Sequence, residues 1–395
     1  MKGAGRVLDL ALLDVLGRRI RYGSLTVVLP DADRRVYRSP RPGPRAEITL
    51  HDTALLRRLA VLGPIGLADG YIAGEFDAED LAGVIELAAS HAEPSAGIRV
   101  PGIVDRAGRA IWRRMGHAAA PRGTLRDVVQ HYDLGNDFFA IWLDPTMTYS
   151  SAVFAREDMT LEEAQTQKYA RLARATGLAR GDHVLDIGCG WGGFATYAAA
   201  EIGCRVTAIT VSKEQFDHVG KLVAARGLGD LVETRLQDFR DTHGRFDRVV
   251  SIEMVESLPR SAWPGYFRRL SELTRPGGRI GLQVIVVADR HWSSSDRNPD
   301  FIRRYVFPGG QVPAPMVLRD LARANDLSWV EDHGYGASYA RTLRLWRDRF
   351  DDRTDEVADL GFDERFRRMW RYYLSYCEGG FRAGRADVRQ IVLAA

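Results

Sequence analysis

Val184-Leu185-Asp186-Ile187-Gly188-Cys189-Gly190-Trp191-Gly192-Gly193 begins as an apolar, strand-like run and ends in a glycine-rich turn. The residues after it, Phe194 to Ala200, read as a helix. Strand, tight turn and helix form the opening unit of a doubly wound α/β fold, whose ligands sit at the carboxyl end of the strand. Gly188, Gly190 and Gly192 let the backbone turn sharply and approach a ligand that a Cβ would hold away. The G-x-G-x-G spacing alone is unspecific, and the surrounding chain has to support it.

Working outward, Val206 to Ser212 is a second apolar run ending in small polar residues. Leu236-Gln237-Asp238-Phe239 closes a third candidate strand, and Phe246 to Ile252 makes a fourth. The turn Arg275-Pro276-Gly277-Gly278-Arg279 leads into a fifth, Ile280 to Val287, and Val388 to Leu393 reads as a closing strand. No G-K-[ST] follows the glycines, so a P-loop is excluded, and the third glycine falls too early for the dinucleotide fingerprint. With Asp186 at the strand end, the combination resembles a class I S-adenosylmethionine (SAM) methyltransferase.

At 395 residues the chain has room for two domains. Its net charge of +3 gives no support to nucleic-acid binding. No apolar stretch is long enough to span a bilayer. Met1 to Ile20, interrupted by Asp9 and Asp14, reads as an amphipathic helix rather than a signal peptide. Cys189, Cys204 and Cys377 show no metal or disulfide spacing, which fits a reducing cytoplasm. Residues 1–93 read as a small α+β packing or lipid-binding domain, with strands at 24–29 and 47–51 around an arginine- and proline-rich loop, Arg34 to Arg45. Residues 94–126 read as a basic linker, with Arg106, Arg109, Arg113 and Arg114 beside Trp112, either a solvated hinge or an interfacial helix at anionic lipid. Residues 127–395 are the expected catalytic domain.

Within it, His131 to Phe139 and Leu143 to Ser151 mix aromatics with small polar residues, as a lid over a cofactor would. Thr160 and Glu163 make a capping box for a helix ending near Gly177. Glu253-Met254-Val255-Glu256-Ser257 puts two carboxylates at the end of the fourth strand, either for catalysis or to cap the next helix.

Five stretches in order, HYDLGNDFF (131–139), LDPTMTYS (143–150), VLDIGCGWGG (184–193), RRYVFPGG (303–310) and YCEGGFR (376–382), resemble the cyclopropane-fatty-acyl-phospholipid synthase family. GLADGYIAGEFD (66–77) is similar to the N-terminal domain of its longer bacterial members. The resemblance implies SAM as cofactor and, as substrate, a cis double bond in an unsaturated phospholipid acyl chain. It places Tyr149 and Ser150 by the methionine portion, and Gly188, Cys189 and Gly190 along the cofactor. Thr210, Val211, Ser212, Lys213, Glu214 and Gln215 fall by the ribose, and Gln237 and Asp238 by the adenine. Cys377 matches the family's active-site cysteine, although its helix lies far along the chain from the glycine turn and suits a buried thiol equally.

An alkene attacking the SAM methyl leaves a carbocation, which aromatic faces stabilise. Tyr132, Phe139, Tyr305, Tyr339 and Trp346 are the candidates. A base then removes a proton. The resemblance implies a bound bicarbonate held by a carboxylate, a tyrosine, a cysteine and a histidine. Glu256 and Tyr339 match the first two, and Ile285 a backbone contact. Ser151, Gln283 and Ser257 depart from the pattern: Ser151 replaces the cysteine, and Gln283 and Ser257 stand where members carry histidine. The base is therefore open between bicarbonate and Glu256, and so is the product. Direct proton loss from the new methyl gives a cyclopropane, the favoured reading. A prior hydride shift gives a methylene group, which a separate reductase would turn into a methyl branch. Methylation of a small heteroatom nucleophile, or a lipid-binding protein without catalysis, are the rivals. The expected partners are acyl lipid and the membrane surface, with the enzyme cytoplasmic and peripheral on the inner face. No nucleic acid is expected, and a homodimer is compatible with the sequence.

Overall fold

The structure, a computed structural model, describes residues 2–91, 134–292 and 301–395. The basic linker with Trp112, and His131 and Tyr132 of the first motif, lie outside the described residues. The described chain falls into two units: residues 2–91, 301–306 and 350–385, and residues 134–292, 307–349 and 386–395.

The first unit begins with helix α1 (Lys2–Gly17) and strands β1 (Ser24–Val28), β2 (Arg34–Arg38) and β3 (Arg45–Leu50). Helices α2 (Ala54–Leu62) and α3 (Pro64–Ile72), the short strand β4 (Phe76–Asp77) and helix α4 (Leu81–His91) follow. The sheet order is β2-β1-β3-β4, with β1 and β3 parallel and the other pairs antiparallel. Strand β2 lies in the stretch expected to be a loop. It is an edge strand paired with β1, so its arginines stay in water and still complete a ladder, and charge on an edge discourages pairing with other chains. Only Tyr37 turns back, its hydroxyl donating to Asp14 at 2.6 Å.

The helix Glu364–Arg382 packs on α3 and α4. At Gly379 a Cβ would stand 2.7 Å from the Ala82 carbonyl, so the first glycine of the last motif serves helix contact here. Arg368 lies 4.1 Å over the Tyr71 ring and donates to the Tyr71 and Phe76 carbonyls, pinning that helix to β4.

The second unit runs α5 (Asn136–Trp142), α6 (Leu161–Thr176), β5 (His183–Ile187), α7 (Gly193–Tyr197), β6 (Arg205–Thr210) and α8 (Lys213–Ala225). It continues with β7 (Val232–Leu236), β8 (Phe246–Ile252), α9 (Trp263–Leu273), β9 (Thr274–Val287), α10 (Pro315–Arg323), β10 (Ser328–Gly334), α11 (Gly336–Asp352, to residue 349) and β11 (Ala386–Ala394). The expected helix after the glycines ends in a single π turn, Ala198–Ile202. The seven strands are ordered β10-β11-β9-β8-β5-β6-β7, parallel from β9 to β7, with β11 and β10 joined antiparallel. This is the class I methyltransferase architecture expected from the sequence. Apolar clusters cover both faces, with Leu185, Ile187 and Ile280 packed towards α9 on one and Val184, Val206 and Ala208 towards α7 and α8 on the other. The chain leaves β5 on one side for β6 and returns on the other as β8, and this reversal opens a crevice at the carboxyl ends of β5 and β8.

Helix α6 carries its start signal intact. Thr160 accepts from the Glu163 amide at 3.2 Å, while the Glu163 carboxylate accepts from the Thr160 amide at 2.8 Å. Gly177 closes the helix in the left-handed region at φ 65°. Thr160→Ala leaves one of those amides unpaired, so urea unfolding is expected to show a loss of about 1 kcal/mol, with SAM affinity unchanged.

Candidate active site

A cavity of about 470 Å³, a volume that suits a cofactor-sized ligand, lies in the second unit at the carboxyl ends of β5, β6 and β8. Of the residues expected to hold the cofactor, Tyr149, Ser150, Asp186, Gly188, Cys189, Gly190, Thr210, Val211, Ser212, Gln215, Gln237 and Asp238 line it. Lys213 and Glu214 do not; they begin α8, where Lys213 pairs with Asp217 on an exposed face at 2.5 Å.

Sequence and backbone shape this cavity together. Gly188 sits at φ 76°, and a Cβ there would come within 2.9 Å of the Met254 side chain. Past β6, Ser212 caps α8 through the Gln215 amide, and Thr210 donates to the Gln215 side chain at 2.8 Å. Burial raises the Asp238 carboxyl, but Arg240 outweighs it with bonds at 2.7 and 2.9 Å and holds it below the usual range. Asp186 is 2 % exposed, and its Oδ2 has no hydrogen-bond partner among the described residues. Desolvation pushes its carboxyl up to about 7. An orphaned carboxylate oxygen beside a glycine turn with no room for a Cβ fits a ligand that brings cationic and amide-like groups, as SAM does.

Tyr149 on the cavity wall belongs to an aromatic cluster. Its ring lies 5.4 Å from Phe139, 5.3 Å from Trp142 and 5.5 Å from Trp346, and Tyr339 is 6.1 Å from Trp346. Tyr305, also a candidate, lies in the first unit and donates to Asp69 there. Cys377 is on the helix Glu364–Arg382, also in the first unit, and is half-buried.

The residues assigned to bicarbonate converge on a different group. Glu253 follows β8 and lines the cavity, and its Oε1 accepts from the Ser151 amide at 2.8 Å and from Gln283 Nε2 at 2.7 Å. Its Oε2 accepts from the Tyr339 hydroxyl at 2.9 Å. Ile285 N, the remaining assigned contact, donates to Glu256 Oε1. Gln283, Tyr339 and the Ser151 and Ile285 amides are thus engaged by carboxylates of the chain itself, the Ser151 and Ser257 hydroxyls donate to the Ala152 and Met254 carbonyls, and bicarbonate does not fit this site.

Gln283 is itself oriented. Its carbonyl accepts from Gln390 at 3.0 Å, which turns its amide nitrogen toward Glu253. Buried Lys168 donates to Ser150 Oγ at 2.6 Å, and desolvation lowers its ammonium to about 7 despite Glu253 and Asp144 nearby.

The sequence offers Glu253 only as one of two carboxylates with a catalytic or a capping role, and it does not single out Lys168. The available signal is polar residues at interior-facing positions: Gln283 in β9, Gln390 in β11 and Lys168 on the buried face of α6. Buried polar groups require partners, so such positions announce a network.

The sequence profile described as mycolic acid cyclopropane synthetase matches residues 120–391. A protein described as tuberculostearic acid methyltransferase UfaA1, from Mycobacterium tuberculosis, is 38% identical over 352 residues, 86% of this chain and 81% of that one. A cyclopropane-fatty-acyl-phospholipid synthase from Escherichia coli is 39% identical over 67% of this chain and 66% of its own length. Among solved structures, the mycolic acid cyclopropane synthase CmaA1 complexed with SAH and CTAB aligns with a TM-score of 0.65 at 30% identity, covering 70% of this chain and 100% of that one.

The Asp186 carboxyl yields a stability test. Its pKa is about 7 in the folded chain against 3.8 ordinarily, so between those values the folded state holds a proton that the unfolded state has lost. Stability attributable to this group is therefore greatest below pH 4 and falls as pH rises toward 7, with a slope on the order of 1 kcal/mol per pH unit. Asp186→Asn removes the titration, and its urea-unfolding free energy between pH 5 and 7 is expected to lack that part of the slope.

Proposed function

The chain belongs to the mycolic acid cyclopropane synthetase family and is a SAM-dependent methyltransferase, and from that premise we propose that it adds the methyl carbon of SAM to a cis double bond in an unsaturated phospholipid acyl chain, forming a cyclopropane. The observation that carries this reading is the pairing of an aromatic-walled cavity with a buried, donor-bound carboxylate. A heteroatom methyltransferase has no need of a group that takes a proton from carbon.

SAM bound in the cavity supplies an electrophilic methyl group. The Gly188–Gly190 turn and Asp186 would hold its methionine end, with Tyr149 and Ser150 beside them, while Thr210, Val211, Ser212 and Gln215, with Gln237 and Asp238, would border the ribose and adenine. The face of Tyr149, backed by Trp142 and Trp346, stabilises positive charge developing on the acyl chain through the ring quadrupole. The same rings exclude water, which would otherwise capture that charge as an alcohol.

One observation favours a second reading. The relative aligned over 86% of this chain is described as a methyltransferase for tuberculostearic acid rather than a ring-forming synthase. A methylene product, reduced by another enzyme to a methyl branch, is the corresponding outcome. In either case the substrate lies in a bilayer, so we place the enzyme at a membrane surface. Among the described residues no helix is long and apolar enough to cross one.

The test is to incubate the protein with SAM and oleoyl phospholipid vesicles and follow the lipids by mass spectrometry. Addition of one carbon is expected, with gas chromatography of the released fatty acids showing the ring. The methylene isomer, of equal mass but different retention, would move the assignment to the second reading. Unchanged lipid in the presence of bound SAM would refute both.

A further inference from the structure

Resting on that proposed function, we infer that Glu253 stands in the place that the family resemblance gives to bicarbonate, and that its carboxylate takes the proton from the methylated acyl chain. Three of the positions assigned to bicarbonate reach the two oxygens of this one side chain, through the Ser151 backbone amide, Gln283 Nε2 and the Tyr339 hydroxyl. Three donors are what a carboxylate on a cavity wall, largely withdrawn from solvent, needs to remain charged.

The other carboxylate cannot share the role. Glu256 receives backbone donors only, from Ile285 and from its own amide, while its Oε2 is buried with no partner among the described residues. Two neighbouring buried carboxyls do not both ionise, and the charge goes to the better-solvated one. Burial, then the repulsion of Glu253, raises Glu256 well above the usual carboxylate range. Burial also raises Glu253, but Lys168 is the first of four influences opposing it.

The backbone supports the assignment independently. Glu253 sits at φ 51°, in the left-handed region, while its amide donates to the Gln283 carbonyl at 2.7 Å. Glycine would take that conformation without strain, and a charged side chain held there at a cost marks a functional position.

The step balances within the chain. A C–H bond on the added methyl breaks, and its electron pair forms the bond to the cationic carbon that closes the ring; after a hydride shift to the neighbouring carbon, the same pair forms the double bond of the methylene product. The proton passes to Glu253 Oε2, which takes one hydrogen bond and keeps a lone pair, whereas Oε1 takes two. It returns to water once the product has left. Gln283 is a positioning residue, held by Gln390 so that its amide nitrogen faces the carboxylate.

The experiment uses the full chain, SAM and oleoyl vesicles, with SAM affinity measured in parallel as the check on folding. In buffer stripped of carbon dioxide the wild-type rate is expected to stay within about twofold of its value with added bicarbonate. Glu253→Gln keeps the shape of the side chain and is expected to lose roughly 10²- to 10⁴-fold in rate while still binding SAM. Glu253→Gly empties the place and leaves its three donors, so added bicarbonate is expected to raise its rate by about 10-fold or more, part of the lost general-base contribution. Collapse of the wild-type rate on bicarbonate removal, or a Glu253→Gln variant as fast as wild type, would overturn the inference. Wild-type protein that adds no carbon at any bicarbonate concentration would overturn the proposed function and this inference with it, and the wild-type control alone identifies that case.

Discussion

A carboxylate largely withdrawn from water must find hydrogen-bond donors, and the way Glu253 finds them organises the reactive end of the second unit. Its partners come from the loop after Tyr149, from the middle of β9 and from the first turns of α11. The same residue closes β8 against β9 through its own amide. Satisfying one side chain therefore sets the relative position of four chain segments around the cavity. The Gln390–Gln283 pair extends the network across to β11, which explains two buried glutamines facing one another in the sheet.

The other half of the cavity follows a different rule. There the parallel strands end, and backbone rather than side chains faces the ligand. The turn after β5 works because glycine tolerates positive φ and because a Cβ at Gly188 would strike Met254. Asp186 is the exception, a carboxylate kept without a partner where the cofactor's charged end is to lie. One carboxylate in this unit is satisfied by the protein, and the other is left for the ligand.

Most of the sheet could be read along the chain. Apolar runs bounded by turns marked β5, β6, β8, β9 and β11, and the capping box marked α6, because these signals are local. Strands β2 and β10 are among those that escaped. In β2 the arginines of an edge strand resemble a solvated loop, since only one neighbour and little burial are involved. In β10 the acidic and histidine side chains of another edge strand hide its pairing with β11. Edge strands draw on half the ladder and seldom carry a full apolar pattern.

By itself the sequence determined the doubly wound fold, the kind of cofactor and the family, because each rests on residues adjacent in the chain: a glycine turn, a strand end, a run of motifs in order. It also placed two carboxylates, Glu253 and Glu256, within one short stretch, with nothing local to tell them apart. Tertiary structure alone decided between them. The donors that settle where the negative charge resides are Ser151, Gln283 and Tyr339, far apart in sequence and brought together only by strand order and the return of α11 to the sheet. In a buried site, the charge goes where the donors are.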